Sequence, residues 1–324
     1  MDKNLEYVIN KVLDGGKGGC LEDYKNFPRF INIETTNNCT ARCVMCGIDE
    51  WRRKIKKSYM NDEVFKKIAD EILDNKQYVQ KVALFVGNEP LLDKFLPQRI
   101  RYFTENGVKV SITSNGSLMR GKMAEDILKS SLERVNFSID GLDKRAYESI
   151  RKGLSFEEVL GNVIAFVMLR NKLESKTAVR ISVIKNSYYL DAMDKIVGFW
   201  EKILDKDKGD SIKIDDLSLG IINKSKYTGG GGALSELEYD RNMLFDEANA
   251  TPCYAIWNTM VIKTDGQVAV CCVDQCRNVT LGNVEIQSIA EVWKDSKELQ
   301  KIREVHLREG RAGVDFCKDC LCWY

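Results

Sequence analysis

Strand-like and helix-like segments alternate along the first two thirds of this 324-residue chain. Short runs rich in branched apolar residues predict strands at 30–34, 82–86, 108–113, 134–139 and 178–184. Helical spacing of apolar residues predicts helices at 61–74, 93–106, 121–131, 155–172 and 188–204. Strands separated by helices in this way favour βαβ units and a parallel sheet. Because about six units fit between residues 29 and 205, fewer than the eight of a closed barrel, we expect an α/β fold with a partial (βα)6 barrel.

The segment before the first strand, residues 1–28, predicts a helical extension. Leu5, Val8, Ile9 and Val12 stand at helical spacing ahead of a glycine-rich stretch. We therefore expect a short N-terminal helical element that precedes the barrel.

The pattern changes after residue 205. Residues 206–249 contain a charged run and consecutive glycines, which predict a linker, with one further strand candidate at 217–221. An Asp-Gly turn between two apolar runs predicts a β-hairpin at 260–270. We therefore expect residues 250–324 to form a small cysteine-rich domain that contains this hairpin.

Composition is typical of an ordinary globular protein. Apolar residues make up 44% of the chain and charged residues 30%, unlike a disordered or membrane protein. The 49 basic and 48 acidic residues nearly cancel, so nothing indicates a nucleic-acid partner. The N-terminus lacks the apolar segment of a signal peptide, and no apolar run approaches the ~20 residues of a membrane span. We expect a cytoplasmic protein without a membrane partner.

Cysteine is the outlier, with 11 residues in a chain that has one histidine. Without a signal peptide, metal binding is a better interpretation than disulfides. Three cysteines lie in 39–46, four in 253–276 and three in 317–322, and Cys20 stands alone. Two metal-binding regions therefore flank a cysteine-free scaffold, and His306, which lies in a helical pattern, is expected to be structural.

Cys39, Cys43 and Cys46 follow the first predicted strand. Each iron of a cubane cluster needs a terminal ligand, so three thiolates leave the fourth iron open for a substrate or cofactor. A zinc site would need a fourth nearby ligand, yet no Cys or His follows until Cys253. The spacing therefore favours an iron–sulfur cluster over zinc, at the strand ends where parallel α/β folds hold their active sites.

The Cys-x3-Cys-x2-Cys spacing resembles the radical S-adenosylmethionine (SAM) superfamily, in which SAM binds the open iron of a [4Fe–4S] cluster. Gly87-Asn88-Glu89-Pro90, at the end of the second strand, is similar to the family's Gly-Gly-Glu-Pro motif, although Asn88 replaces a glycine. The resemblance implies that Glu89 and the motif backbone receive the SAM ammonium, a task that suits a carboxylate.

Further similarity to the family lies at the ends of the later strands. Thr-Ser-Asn-Gly is ordinarily a turn and Asp-Gly ordinarily starts a loop, so the order of these motifs along the chain carries the signal. The resemblance implies that residues 113–116 contact the ribose, that Ser138 and Arg151 bind the SAM carboxylate, and that Val183 and Ile184 flank the adenine. The implied cofactor-binding residues are Gly87, Asn88, Glu89, Pro90, Ser114, Asn115, Ser138, Asp140, Arg151, Val183 and Ile184.

Cys253 and Cys271 stand on either side of the predicted hairpin turn at Gly266, and Cys317 and Cys320 form a Cys-x-x-Cys pair. The four thiolates can serve one zinc ion or one cubane cluster, and spacing alone leaves both open. The Cys-x12-Gly-x4-Cys opening resembles the auxiliary-cluster modules called SPASM and twitch. That resemblance implies one auxiliary [4Fe–4S] cluster with these four cysteines as ligands.

Cys271 and Cys272 are adjacent on a predicted strand, so their side chains face opposite sides. The Cys-Cys-x-Asp arrangement with Asp274 resembles SPASM-type epimerases, in which a free cysteine donates a hydrogen atom to the substrate radical. The alternative for Cys272 is a small buried apolar side chain. Three other thiols are expected to be ordinary, with Cys276 as a reserve donor; they are Cys20, Cys276 and Cys322.

The resemblance implies an enzyme in which SAM is cleaved to a 5′-deoxyadenosyl radical that abstracts a hydrogen from an unactivated carbon. We expect epimerisation of a carbohydrate-like or aminoglycoside-like substrate, with Cys272 as the donor. The first alternative is a dehydrogenase of a secondary alcohol that uses the auxiliary cluster as electron acceptor. The second is an epimerase or oxidase of a ribosomally made peptide. A flavodoxin-type or ferredoxin-type electron donor is the implied protein partner.

A rival from another class is a non-enzymatic zinc or iron–sulfur protein. In that case both cysteine groups would be structural or electron-carrying. Iron and sulfide analysis together with a SAM cleavage assay separates the two classes.

Overall fold

The strands of the described residues join one sheet in the computed structural model. The structure describes residues 3–14, 21–54, 57–185, 189–216, 241–272, 279–318 and 320. The strands are β1 (Phe30–Ile33), β2 (Lys81–Ala83), β3 (Val110–Ser114), β4 (Arg134–Ser138), β5 (Ala178–Lys185), β6 (Ser211–Asp216), β7 (Thr259–Ile262), β8 (Gln267–Ala269) and β9 (Thr280–Asn283). Their order is β6-β5-β4-β3-β2-β1-β7-β8-β9. Neighbours from β1 to β6 all pair in parallel, which confirms the predicted α/β fold with a partial (βα)6 barrel.

Helices connect the parallel strands, as the alternating pattern predicts. The α-helices are α1 (Lys3–Asp14), α2 (Leu21–Asn26), α3 (Ile48–Lys54), α4 (Asp62–Asp74), α5 (Leu96–Thr104), α6 (Gly121–Leu128), α7 (Lys144–Ile150), α8 (Phe156–Lys172), α9 (Met193–Glu201), α10 (Arg241–Ala250), α11 (Ile289–Asp295) and α12 (Lys297–Glu309). Within the described ranges, none of them is long and apolar enough to cross a bilayer.

The helix α4 shows how local sequence produces the barrel's outer layer. Asn61 caps its first turn by accepting a hydrogen bond from the Glu63 backbone N–H at 2.7 Å. Phe65, Ile68 and Ile72 stand three and four residues apart on one face and are buried in the core. Each such side chain contributes about 1.5–3 kcal/mol when it leaves water.

Several predicted elements differ from the structure by a few residues at their ends, and the strand at 82–86 and the linker differ most clearly. The predicted strand at 82–86 stops at Ala83, because the Val86 N–H turns to the side chain of Asn88 at 2.9 Å. In the predicted linker, the first part forms β6, which continues the sheet beside β5, and its end forms α10. The strand candidate at 217–221 and the consecutive glycines lie outside the described residues.

The outer edge of the parallel sheet is held by a fully buried ion pair between Arg170 of α8 and Asp210 before β6. Their two hydrogen bonds are 2.9 and 2.7 Å long. The same Asp210 carboxylate accepts the backbone N–H of Val179 in β5 at 2.7 Å. Charges in this position need complete hydrogen bonding to offset their desolvation, and the pair has it.

The predicted hairpin at 260–270 is confirmed as β7 and β8, which pair antiparallel. β7 also pairs in parallel with β1, so the cysteine-rich region extends the barrel sheet. The N-terminal extension packs on this region as well. Val8, Val12 and Tyr24 form a buried cluster with Tyr254 and Trp257.

Candidate active site and cysteine-rich centres

The first cysteine loop begins directly beyond the carboxyl end of β1. The Cys39 sulfur accepts the backbone N–H of Ala41 at 3.4 Å and the side-chain amide of Asn115 at 3.8 Å. The Cys46 backbone N–H donates to the Cys43 carbonyl at 2.9 Å, which curls the loop. Burial raises the pKa of the Cys39 thiol to about 12, so bound metal has to drive its deprotonation. The loop therefore presents thiols already surrounded by N–H donors, which suits metal-bound thiolates.

The cysteine geometry bears on the choice between a single ion and a cluster. Within the part of the chain that the structure describes, no group of three or more Cys, His, Asp and Glu side chains could hold one metal ion. In a cubane each thiolate binds a different iron, so the sulfur atoms do not have to converge on one point. The separate sulfur positions are therefore compatible with a cluster.

Glu89, of the motif at the end of β2, is buried and holds the neighbouring strand end. Its carboxylate accepts the Ser114 hydroxyl at 2.8 Å, the Asn115 backbone N–H at 2.7 Å and the Leu91 backbone N–H at 3.1 Å. Burial raises the pKa of Glu89 to about 7, although these donors oppose the rise. A carboxylate offers about four acceptor positions, so one remains for a ligand cation.

Asn88, which replaces a glycine of the family motif, carries an unused donor. Its carbonyl oxygen accepts the Val86 backbone N–H, while its buried Nδ2 has no hydrogen-bond partner. The Gly87 backbone N–H points to the Glu34 carboxylate at 3.4 Å. A buried donor without a partner is costly unless a ligand acceptor satisfies it, so the motif fits a polar cofactor.

Asp140 and Arg151 form a buried two-point ion pair at the end of β4. The Arg151 Nε and Nη2 donate to the two Asp140 oxygens at 2.7 and 2.8 Å, and the Ile184 backbone N–H adds a third bond at 3.1 Å. The third nitrogen of Arg151, Nη1, faces the Cys43 sulfur at 3.7 Å. Burial would lower the pKa of Arg151, but the charges of Asp140 and Cys43 and the hydrogen bonds to Asp140 together raise that pKa well above its usual value. Asp140 therefore aims the guanidinium at the cysteine loop.

The other predicted cofactor-binding residues lie at the same edge of the sheet. Ser138 ends β4 and is half-buried. Val183 and Ile184 lie near the end of β5, the first buried and the second half-buried. Pro90 starts a short 3-10 helix directly after Glu89. The structure thus brings the whole predicted set to the carboxyl ends of β1–β5.

Glu34 is a residue of this edge that sequence reasoning missed. It is fully buried, and its carboxylate accepts the Thr264 hydroxyl at 2.9 Å as well as the Gly87 N–H. Glu34 therefore connects the end of β1, the motif after β2 and the β7–β8 turn. A charged residue that directly ends a buried strand was the available signal, but its partners are distant in sequence.

The second cysteine group comes from three segments of the chain, one before β7, one after β8 and one after α12. Cys253, Cys317 and Cys320 are buried, and Cys271 is half-buried. The Cys320 backbone N–H donates to the Cys317 carbonyl at 3.1 Å, so the Cys-x-x-Cys pair forms a turn. Burial raises the pKa of the Cys253 thiol, and the charge of Cys320 raises it further. This interaction requires the two thiols to lie close together. Three buried thiols with a half-buried fourth suit one auxiliary cluster.

His306 supports the same region, as its helical pattern predicts. Its Nδ1 accepts the backbone N–H of Cys253 at 3.1 Å, and the ring is fully buried. Burial lowers the pKa of His306 to about 4, and the charge of Arg311 lowers it further. The ring is therefore neutral at physiological pH and serves as a hydrogen-bond acceptor.

The pairing of β7 with β1 decides where the two cysteine groups lie. Cys39 follows the carboxyl end of β1, whereas Cys253 precedes the amino end of β7, and the two strands run in parallel. β8 runs antiparallel to β7, so Cys271 and Cys272, which follow β8, lie on the side of Cys253. The two groups therefore lie at opposite ends of the strands of one sheet. We call the carboxyl ends of β1–β5 the first edge and the amino end of β7 the second edge.

Comparison with protein families agrees with this geometry. Residues 33–185 match the radical SAM superfamily, and residues 253–321 match SPASM, an iron–sulfur cluster-binding domain. The chain therefore contains a radical SAM domain followed by a SPASM domain. Its two domains together imply SAM and two iron–sulfur clusters as cofactors, in agreement with the half-buried thiols of the first cysteine group and the mostly buried thiols of the second. Cys20, Cys276 and Cys322 lie outside the described residues.

Curated relatives share only part of their length with this radical SAM protein. GTP 3',8-cyclase of Desulforamulus reducens is 29% identical over 142 residues, 43% of this chain and 42% of that protein. A probable GTP 3',8-cyclase of Methanococcus vannielii is 26% identical over 176 residues, 54% of this chain and 56% of that protein. The chain thus spans about half the length of these relatives, or less.

Solved structures share the fold over most of the chain. BtrN in complex with AdoMet and 2-DOIA has a TM-score of 0.54 at 16% identity, with 90% of this chain and 92% of that chain covered. Streptococcus suis SuiB bound to precursor peptide SuiA has a TM-score of 0.65 at 19% identity, with 91% and 72% covered. The likeness concerns the fold, and the bound molecules are those of the neighbours.

Proposed function

We propose that this radical SAM protein epimerises a carbohydrate-like or aminoglycoside-like substrate, with Cys272 as the hydrogen-atom donor. The observation that carries the proposal is the position of Cys272 at the sheet edge opposite Cys39, Cys43 and Cys46. Inversion of a carbon requires that one hydrogen leaves from one face and another arrives at the opposite face. Two reactive groups at opposite edges meet that requirement for a substrate held between them.

The chain's residues have distinct tasks at the first edge. Cys39, Cys43 and Cys46 would hold the first [4Fe–4S] cluster. Arg151, aimed by Asp140, would offer its remaining nitrogen, Nη1, to the SAM carboxylate as a charged hydrogen-bond donor. Asn88 and Glu89 would receive the polar groups of the methionyl end. The strand-end residues Ser114, Asn115, Ser138, Val183 and Ile184 would position the nucleoside.

At the second edge, Cys253, Cys271, Cys317 and Cys320 would hold the auxiliary [4Fe–4S] cluster. When bound, the first cluster with SAM supplies a hydrogen-abstracting radical, and the auxiliary cluster supplies single electrons. Cys272 gives the hydrogen atom of its S–H group to the substrate carbon, so an S–H bond breaks and a C–H bond forms. The sulfur radical that remains on Cys272 needs one electron and one proton to become a thiol again.

A peptide substrate is the second candidate. Two observations favour it: SuiB bound to its precursor peptide has a TM-score of 0.65, and anSMEcpe with bound AdoMet and a Kp18Cys peptide has a TM-score of 0.63. BtrN in complex with 2-DOIA favours a small molecule, and this chain covers 92% of BtrN. The electron donor that we propose for either substrate is of flavodoxin or ferredoxin type.

The decisive experiment is turnover in D₂O with the cluster-loaded native enzyme and Cys272→Ala, using aminoglycoside-type carbohydrates and short peptides as probes. We expect deuterium on an inverted carbon with the native enzyme. Cys272→Ala should still cleave SAM but yield no inverted product, because the donor is missing. Cys20→Ala is the matched control, because Cys20 stands apart from both cysteine groups in the sequence, and it should behave like the native enzyme.

Other outcomes have defined meanings. A product two hydrogens lighter, without solvent deuterium, would show dehydrogenation and overturn the epimerase proposal. Absence of SAM cleavage with every probe and a strong reductant would favour the non-enzymatic class. Iron and sulfide contents that correspond to two cubane clusters are expected, and zinc in their place would contradict the ligand assignment.

A further inference from the structure

Arg311 is a fully buried residue beside the second cysteine group. It follows α12 in a short 3-10 helix, Gly310–Gly313. Gly310 has a φ of +67°, and a Cβ there would lie 2.4 Å from the Asn249 carbonyl oxygen. Only glycine allows this close approach, so the backbone next to Arg311 is pressed against the end of α10.

The guanidinium of Arg311 is anchored to the segment that leads into Cys253. Its Nη1 donates to the Ala248 carbonyl at 3.0 Å, the Thr251 carbonyl at 3.1 Å and the Thr251 hydroxyl at 2.8 Å. The Arg311 backbone N–H also donates to the Thr251 carbonyl at 3.1 Å. The acceptors of Nη1 are neutral oxygens, so these bonds orient the guanidinium and leave its charge in place.

The same side chain lies near Cys253. Thr251, which accepts two of the hydrogen bonds from Nη1, stands two residues before Cys253, and the charge of Arg311 opposes the effect of burial on the Cys253 thiol pKa. A guanidinium remains protonated at any pH a protein tolerates. The buried thiol therefore has a permanent positive charge near it.

We propose that Arg311 raises the reduction potential of the auxiliary cluster, and the inference rests on the proposed ligand set. Reduction adds one negative charge to a cluster, and a nearby buried cation stabilises the reduced form. Arg311 is a positioning and tuning residue: it sets how readily the auxiliary cluster exchanges an electron during turnover.

The test is a redox titration of the cluster-loaded enzyme, followed by electron paramagnetic resonance and without substrate. In Arg311→Met we expect the midpoint potential of the auxiliary cluster to become more negative. The first cluster lies at the opposite edge of the sheet, so its midpoint in the same sample should not change and serves as internal reference. Arg311→Lys keeps the charge and loses the planar fork, so its shift should be smaller.

Arg308→Met is the matched control, because Arg308 also lies near the end of α12 but is 69% exposed. Water screens that charge, so its removal should leave both midpoints unchanged. If Arg311→Met does not retain its auxiliary cluster, Thr251→Val is the variant that tests the role of Arg311. It removes one anchor of Nη1, and we expect a small negative shift of the auxiliary midpoint.

The results separate this inference from the ligand assignment. Two clusters with a native auxiliary midpoint in Arg311→Met would overturn the role of Arg311 alone. A native auxiliary midpoint in Thr251→Val would do the same where the Met variant lacks the cluster. A wild-type protein that holds one cluster would overturn the ligand set and the role of Arg311 together.

Discussion

Each cysteine group has one buried arginine beside it, and the two arginines are held in different ways. Arg151 is bound on two nitrogens by the buried Asp140 carboxylate, and its third nitrogen faces Cys43. The Nη1 of Arg311 is held by neutral oxygens, and one of the residues that supply them, Thr251, stands two residues before Cys253. The first arrangement fixes direction with a charge pair, which suits the binding of a carboxylate ligand. The second fixes direction with dipoles and keeps a positive charge near the thiols.

The largest effect should come from Arg151→Met, which removes one partner of a buried ion pair. The uncompensated Asp140 should lower the free energy of unfolding by about 3–5 kcal/mol. The affinity for SAM should fall as well, because the guanidinium proposed to bind the SAM carboxylate is lost. Anaerobic urea unfolding and equilibrium SAM binding measure the two effects.

The double variant Arg151→Met with Asp140→Asn separates stability from binding. The neutral amide introduced at position 140 can still accept the Ile184 N–H, so most of the stability should return while SAM binding stays weak. Recovery of SAM binding in the double variant would contradict the proposed role of Arg151. An Arg151→Met protein as stable as the native one would show that the Arg151–Asp140 ion pair contributes nothing to the free energy of unfolding.

The next prediction concerns the pH dependence of the first edge. The pKa of Glu89 is raised from 4.5 to about 7, so the folded protein holds this proton more tightly than the unfolded chain. The stability from Glu89 is full below pH 4.5 and is lost as pH rises to about 7. The shift corresponds to about 3 kcal/mol. Urea unfolding of the native protein and Glu89→Gln at pH 4.5 and 7.5 should show this loss only in the native protein.

The second edge should respond to pH in the opposite direction. The pKa of His306 is lowered from 6.5 to about 4, so the unfolded chain takes up this proton first as pH falls. The stability from His306 is full above pH 6.5 and is lost as pH falls to about 4, again about 3 kcal/mol. His306→Gln keeps an acceptor for Cys253 and should lose this pH dependence. An unchanged slope between pH 4 and 6.5 would mean that other groups cause it.

The smallest effect is expected from Asn88→Gly, which restores the family residue. Loss of the Val86 contact and the added backbone freedom each cost about 0.5–1.5 kcal/mol, and removal of the orphaned amide offsets part of this. SAM should bind about 2-fold to 10-fold more weakly if Nδ2 donates to it. Asn88→Ala is the control that removes the amide without adding glycine freedom. Unchanged SAM affinity in both variants would show that Nδ2 of Asn88 does not contribute to SAM binding.

Much of the fold was predictable because the relevant patterns are local. The apolar runs of β1, β4 and β5 and the turn between β7 and β8 match the structure closely. The strand β6 was not assigned, because Ile212 and Ile214 alternate with polar residues over too short a stretch next to a charged run. The burial of Asp210 against Arg170 is what holds that strand in place.

The candidate site likewise has features that local sequence predicts and contacts that it does not predict. The cysteine spacing and the Gly-Asn-Glu-Pro motif were readable from the chain, whereas the partners of the charged residues were not. Asp140 was expected to bind the cofactor, and in the structure its two oxygens are occupied by Arg151 and Ile184. Glu34 and Arg311 escaped notice because their contacts join segments far apart in sequence.

The sequence by itself determined the repeated strand–helix units and the two sets of cysteines, since both depend on spacing along a few neighbouring residues. Only the tertiary structure decided that β7 pairs in parallel with β1. That pairing places Cys39 and Cys253 at opposite edges of one sheet, a relation that no local pattern contains. The physical reason is that hydrogen bonding between distant strands, together with burial of their apolar faces, sets the register and direction of the sheet.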